Sequence, residues 1–333
     1  MQSLEPPKSL SARGDVLLKL QDLSVVYDLG DARAIALDDV SFEVRSGGHT
    51  IGVVGESGSG KTTLGMSIMN LIERPGRIER GRVEYKGRNV LEMSDSELRK
   101  YRWSEVAMVY QSAMNSLNPV KRITDPIVEV LQEHLRISKF DARQRTAKML
   151  ADVGITSDRL DAFPHELSGG MRQRVVIALA LALSPKLLIA DEPTSALDVV
   201  VQKQILALLK REVSKSGLSL VFITHEISLL RDLVQDTAVM YAGEIVEFGP
   251  MEKVLYKPLH PYTEMLLDTL VTLSTPPSVL DTARKTRPVL KDSPRDACKY
   301  VDSCKYAFDR CRKERPRLTQ VETGRWVACH KYP

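Results

Sequence analysis

An α/β fold built on a mostly parallel sheet is what this sequence predicts, and three observations predict it. Short apolar runs such as His49–Val54, Lys186–Asp191 and Ser219–Thr224 alternate with helical patterns, as strands covered on both faces do. One of these runs stops at a glycine-rich turn that opens directly into a helix. The composition is that of a globular chain, 43% hydrophobic and 27% charged over 333 residues, enough for one large domain with an appendage or for two domains. Disordered and collagen-like classes are thereby excluded. The longest unbroken apolar run, Val175 to Leu183, falls well short of the roughly twenty residues a bilayer needs. The opening MQSLEPPKSLSARGD has no apolar stretch of signal-peptide length, so export is not expected. A net charge of +4 gives no indication of nucleic acid as a partner.

Taken in order, Val16 to Tyr27 alternates loosely and is rich in β-formers, and Ala36 to Val44 reads as a second strand. After the His49–Val54 run, a helix is expected from about Thr62 to Ile72, ahead of Arg74-Pro75-Gly76. Arg82 to Tyr85 and Val106 to Gln111 are further strand candidates, and the stretch from about Asn118 to Ala162 is mainly helical. Met171 to Leu183 reads as a buried helix. Prolines at 258, 261, 276, 277, 288 and 294 then mark a linker-rich passage into a tail. That tail is basic, with 14 Lys/Arg against 7 Asp/Glu between Asp281 and Pro333, and it holds all four cysteines; it reads as a separate module.

Chemistry begins at Gly55-Glu56-Ser57-Gly58-Ser59-Gly60-Lys61-Thr62-Thr63, which matches G-x-x-x-x-G-K-S/T. Glycines allow backbone N–H groups to turn inward around phosphates, and the following helix adds its positive end. Lys61 would bring a point charge to the β- and γ-phosphates, and Thr62 a hydroxyl ligand for Mg²⁺. Downstream, the apolar Leu187-Leu188-Ile189-Ala190 ends in Asp191 and Glu192. Asp191 would hold the metal through its hydration shell, and Glu192 would polarise a water for in-line attack. Leu167-Ser168-Gly169-Gly170-Met171 supplies a capped, bare helix start, a second anion site. Two phosphate-binding helix ends with one phosphate loop suggest a composite site between two copies.

The ordered set of phosphate loop, LSGGMRQRV and LLIADEPTSALD resembles the ATP-binding-cassette (ABC) ATPases over about residues 16 to 255. The resemblance implies an ABC-type P-loop NTPase core with a helical subdomain at about 112–170, inside a nucleotide-binding domain at 16–259. A tail at 1–15 would precede it and an extension at 260–333 would follow. It implies that Gln111 touches Mg²⁺ and senses a transmembrane partner, that Asp198 belongs to the D-loop, and that His225 contacts the γ-phosphate. Tyr27, which alone would pass for an ordinary strand aromatic, would stack on adenine. Two cassettes would then face head to tail, Ser168, Gly169 and Gly170 of one covering ATP held by the other.

Ser116-Leu117-Asn118-Pro119 within the segment from Gln111, and His260-Pro261-Tyr262-Thr263, resemble strings of the dipeptide/oligopeptide importer ATPases. Neither has a chemical role derivable from its residues. The resemblance implies two transmembrane permease subunits, a second ATPase subunit, an extracytoplasmic substrate-binding protein and a peripheral location on the cytoplasmic face of the membrane. Importers of oligosaccharides, and soluble iron–sulfur ABC ATPases acting on ribosomes or nucleic acid, are the alternatives.

The tail cysteines Cys298, Cys304, Cys311 and Cys329 lack the paired C-x2-4-C spacing usual for zinc. Disulfides do not suit a chain without an export signal. Four thiolates on loops amid Lys299, Lys305, Arg310, Arg312 and Lys313 suit an iron–sulfur cluster, with zinc and free thiols still open. The importer ATPases carry a [4Fe–4S] cluster in this region, which the resemblance extends to these cysteines.

Overall fold

A computed structural model of the chain describes residues 14–30, 32–111, 116–272 and 296–332. The chain runs β1 (Val16–Leu29), β2 (Ala32–Arg45), β3 (Thr50–Val54), α1 (Lys61–Ile68), β4 (Gly76–Tyr85) and β5 (Arg88–Asn89). Next come α2 (Asp95–Ser104), β6 (Val106–Val109), α3 (Asp125–Leu135), α4 (Lys139–Asp152) and α5 (Gly169–Ala180). Then follow β7 (Leu187–Asp191), α6 (Val199–Ser216), β8 (Ser219–Thr224), β9 (Asp236–Tyr241), β10 (Glu244–Pro250) and α7 (Met251–Tyr256). The described chain closes with α8 (Pro261–Thr272), α9 (Asp309–Lys313), β11 (Thr319–Glu322) and β12 (Arg325–Val327).

Two compact units result: residues 1–92 with 222–333, and residues 93–221. The first unit holds an antiparallel sheet in the order β2-β1-β4-β5. Its second sheet region pairs β3 with β9 in parallel, Val54 opposite Val239, and adds β10, β12 and β11 by antiparallel pairing. In the second unit β6 and β7 pair in parallel, Val109 opposite Ala190, and helices α3, α4 and α5 pack together. Every residue of β3, β7 and β8 is buried, which is why these strands read as continuous apolar runs without alternation.

Several boundaries move from their expected places for identifiable reasons. Helix α1 ends at Ile68 rather than Ile72 because Asn70 takes a left-handed conformation (φ 50°). There the N–H groups of Asn70 and Leu71 return to the carbonyls of Ser67 and Met66, closing the helix in a Schellman motif. Strand β4 starts at Gly76, six residues before the expected Arg82. Its charged first half has no strand pattern, but pairing with β1 (Val25 with Ile78, Tyr27 with Gly76) recruits it. Likewise β2 begins at Ala32, opposite Leu29 across the hairpin. Helix α5 starts at Gly169, because Ser168 accepts the Met171 N–H and caps it there.

The cysteine tail does not stand apart as its composition suggests. Trp326 of β12 pairs with Phe248 of β10, so the tail extends the sheet of the first unit. Fully buried Arg325 meets the equally buried Glu247 at 3.0 Å. Ser112–Asn115 and the prolines at 276, 277, 288 and 294 lie outside the described residues. Among the described residues no helix is long and apolar enough to cross a membrane.

Candidate active site

The phosphate loop joins β3 to α1 in the first unit. Gly60 has φ 101°, and a Cβ there would stand 2.3 Å from the Ala36 carbonyl oxygen; at Gly55 one would stand 2.2 Å from the Met240 oxygen. Both positions therefore need glycine, one for its conformation and its space, the other for space alone. The loop is tied down by its own backbone. Ser59 N–H donates to the Glu56 carbonyl at 3.1 Å, Gly243 N–H to the Ser59 carbonyl at 3.0 Å, and Asp38 N–H to the Gly243 carbonyl at 2.9 Å. Lys61, only 5% exposed, extends its Nζ back over the loop to the carbonyls of Gly55 and Glu56, both at 2.8 Å. Ser57, Gly58 and Thr62 face solvent, and Gly58 has open space around it. Thr63, half-buried, sits in the first turn of α1.

Tyr27 lies in β1 of the same unit, half-buried, with its ring over Gly76: a Cβ on Gly76 would approach the Tyr27 Cε1 to 2.7 Å. His225 follows β8, exposed, with its Nε2 3.7 Å from the Glu226 carboxylate.

In the second unit, Asp191 ends β7 and is 1% exposed. Glu192, next in the chain, has φ 46°, a left-handed conformation that non-glycine residues seldom adopt. Its Oε2 accepts a hydrogen bond from Gln111 Nε2 at 3.1 Å, across 81 residues of sequence. Gln111 and Glu192, predicted separately, are thus brought together. Asp198 caps α6, its Oδ1 accepting the N–H groups of Val200 and Val201 at 3.0 Å each. Gly170 owes its identity to packing, since a Cβ there would strike Val201 Cγ1 at 2.4 Å. Gly169 opens α5 beside it, behind the Ser168 cap.

The tail cysteines gather in the first unit. Cys298 N–H donates to the Cys311 carbonyl at 2.9 Å. The backbone of Tyr300, Tyr306 and Lys331 pulls the Cys298, Cys304 and Cys329 thiols down, against the larger opposite effect of burial. Burial pushes the Cys298 thiol up to about 12, and the nearby Cys311, Cys329 and Cys304 raise it further. Cys304 and Cys329 are raised by burial as well. Among the described residues no group of three His, Cys, Asp or Glu side chains is close enough to hold a single metal ion.

Beside the cysteines lies a charge cluster that nothing in the sequence pattern signals. Lys299 Nζ reaches Asp38 at 3.0 Å and Glu244 at 2.9 Å, and Arg315 reaches the same two carboxylates at 3.0 and 2.8 Å. Burial pushes Glu244 above the usual carboxylate range against the pull of the two cations. At Asp38 burial acts the same way, but Lys299 and Arg315 outweigh it and hold its carboxyl below that range.

Comparison with known proteins places the chain in a family. The ABC transporter family model covers residues 37–195, and the model of the oligopeptide/dipeptide transporter C-terminal region covers residues 246–311. The dipeptide transport ATP-binding protein DppD of Escherichia coli is 42% identical over 319 residues, 95% of this chain and 97% of the relative. The oligopeptide transport ATP-binding protein OppD of the same organism is 38% identical over 96% of this chain and 94% of its own. The dimeric structure of a bacterial ABC transporter cassette superposes with a TM-score of 0.64 at 29% identity, covering 71% of this chain and 99% of that one. The chain belongs to the ATP-binding proteins of ABC transporters, in their dipeptide/oligopeptide subfamily.

Proposed function

We propose that this chain hydrolyses ATP to power import of dipeptides or oligopeptides. The observation that carries the reading is similarity to a dipeptide transport ATP-binding protein along 95% of the chain, with phosphate loop, Asp191-Glu192 and Ser168-Gly169-Gly170 all intact. Ser57, Gly58, Ser59, Gly60, Lys61, Thr62 and Thr63 bind the phosphates, and Tyr27 stacks on adenine. Thr62, Gln111 and Asp191 are the residues that would hold Mg²⁺, which when bound neutralises charge on the phosphates. Glu192 takes a proton from the attacking water as its oxygen bonds to the γ-phosphorus and the bond to ADP breaks. Its φ of 46° turns the side chain out of the strand line, and Gln111 orients it by the 3.1 Å hydrogen bond. His225 donates to the γ-phosphate, and Ser168, Gly169, Gly170 and Asp198 serve the nucleotide of a second cassette.

The partners are that second ATPase subunit, two transmembrane permease subunits and an extracytoplasmic substrate-binding protein, with this chain peripheral on the cytoplasmic face. Cys298, Cys304, Cys311 and Cys329 hold a [4Fe–4S] cluster, a reading supported by their proximity: Cys298 N–H donates to the Cys311 carbonyl at 2.9 Å, and the other three thiols act on that of Cys298. Such a cluster would tie helix α9, which carries Cys311, to the segments that carry Cys298, Cys304 and Cys329. The test is purification of the tagged chain from detergent-solubilised membranes. Permease subunits should accompany it, and in proteoliposomes the assembly should couple ATP hydrolysis to peptide uptake. A chain that purifies with ribosomes instead, or an assembly that transports sugar and no peptide, would overturn the reading.

A further inference from the structure

The His260-Pro261-Tyr262-Thr263 string acquires a role once its surroundings are known. Tyr262 is completely buried, and its hydroxyl accepts the N–H of Glu56, the second residue of the phosphate loop, at 2.9 Å. The carbonyl of Glu56 in turn accepts from Lys61 Nζ at 2.8 Å. Both backbone polar groups of this loop residue are therefore occupied, the N–H by Tyr262 and the carbonyl by Lys61 and the Ser59 N–H.

Tyr262 is itself rigidly built in. Its N–H donates to His260 Nδ1 at 3.1 Å, and the Glu247 carboxylate accepts the N–H groups of Leu259 and His260 at 3.0 and 2.9 Å. Its ring packs on Tyr241 with centroids 4.7 Å apart and meets the edge of Tyr300 at 5.5 Å. Tyr300 also contacts Tyr241 and His260, at 5.2 and 5.7 Å. It belongs to the cysteine segment, two residues beyond Cys298, inside the turn that the Val301 N–H closes on the Cys298 carbonyl at 3.1 Å. That turn couples the ring to the position of Cys298.

We propose that Tyr262 is a positioning residue of the nucleotide site, and that Tyr300 makes the cysteine segment a regulator of nucleotide affinity through it. This rests on the reading of residues 55–63 as an ATP site. A loop already held in its binding geometry meets the phosphates without an ordering cost, whereas a loop sampling other shapes binds in proportion to its competent fraction. One neutral hydrogen bond is worth a factor of about two to ten in such an equilibrium.

The experiment measures ATP affinity of the full chain by calorimetry, with melting temperature read in parallel. Tyr262→Phe, which deletes only the hydroxyl, should raise the Kd and the KM for ATP about two- to ten-fold, with kcat and melting temperature nearly unchanged. Glu56→Pro deletes the donor instead, so Tyr262→Phe added to it should cause no further loss. Tyr300→Ala should weaken ATP binding to a similar degree, and Tyr300→Phe, which keeps the ring, should restore it. An unchanged Kd in Tyr262→Phe, with or without a lower melting temperature, would overturn the inference alone, as would full additivity with Glu56→Pro. An unchanged Kd in Tyr300→Ala would overturn the regulatory half. A wild-type chain that binds no ATP would instead overturn the proposed function, and this inference with it.

Discussion

Replacing Glu192 by glutamine changes one atom of the site, and its consequence can be worked from the geometry. Glu192 accepts from Gln111 Nε2 at 3.1 Å, and the amide oxygen of a glutamine can accept the same hydrogen bond in nearly the same volume. The backbone at φ 46° is equally demanding for both residues, so strain does not change. Folding and ATP binding should therefore survive, with affinity within about two-fold of wild type. What disappears is the acceptor for the proton of the attacking water. Loss of a positioned general base costs on the order of 10²- to 10⁴-fold in rate, or roughly 3 to 5 kcal/mol of barrier at 1.36 kcal/mol per decade. Phosphate release at saturating ATP reads the rate, and calorimetric titration reads the affinity. ATP should also accumulate in a closed pair of cassettes, visible as a dimer by size-exclusion chromatography. Turnover within ten-fold of wild type would refute the assignment of Glu192 as the base.

Lys61→Ala should weaken nucleotide binding itself, while Ser168→Arg should leave binding by the monomer intact and block hydrolysis. Where the cassette pairs with itself, mixing the two variants rebuilds one wild-type composite site, and absence of any recovered activity in proven mixed dimers would refute sites shared between chains. Anaerobically purified protein should be brown, with iron and acid-labile sulfide near four of each per chain. Cys304→Ser or Cys311→Ser should bleach it, and colourless protein with stoichiometric zinc would refute the cluster. Burial holds His260 down at about 3 against an ordinary 6.5. Tyr300 (ring centroid 5.7 Å away), Tyr262, whose N–H meets Nδ1, and Glu247, which accepts the His260 N–H, surround it. Below pH 6.5 the unfolded chain takes up a proton that the folded chain refuses, so this contribution to stability is complete above pH 6.5 and falls with pH toward 3. Between pH 7.5 and 5.5 urea denaturation should show wild type losing about 1.4 kcal/mol more than His260→Asn; equal losses would refute the assignment.

The parts of the site that could be read from the sequence are those whose geometry is made by consecutive residues. Gly55 to Thr63 make their turn from neighbouring residues between one strand and one helix, and Ser168 and Asp198 cap the helices that begin beside them. Each such string carries its own local geometry, while the roles of Ser168 and Asp198 came from the family resemblance and not from spacing. Strands β7 and β8 were equally legible, because burial on both faces demands unbroken apolar runs. The first half of β4 was not legible, since its strand conformation comes from β1 and not from its own charged residues. Only the tertiary structure could decide what the tail does. Lys299 finds Asp38 across 261 residues and Tyr262 finds Glu56 across 206, and no local pattern specifies such a partner. A basic, cysteine-rich composition reads as a separate module for that reason. The carboxylates that meet its cations, Asp38 and Glu244, and the Glu56 N–H that donates to Tyr262 lie in distant segments, and only the folded chain brings them together.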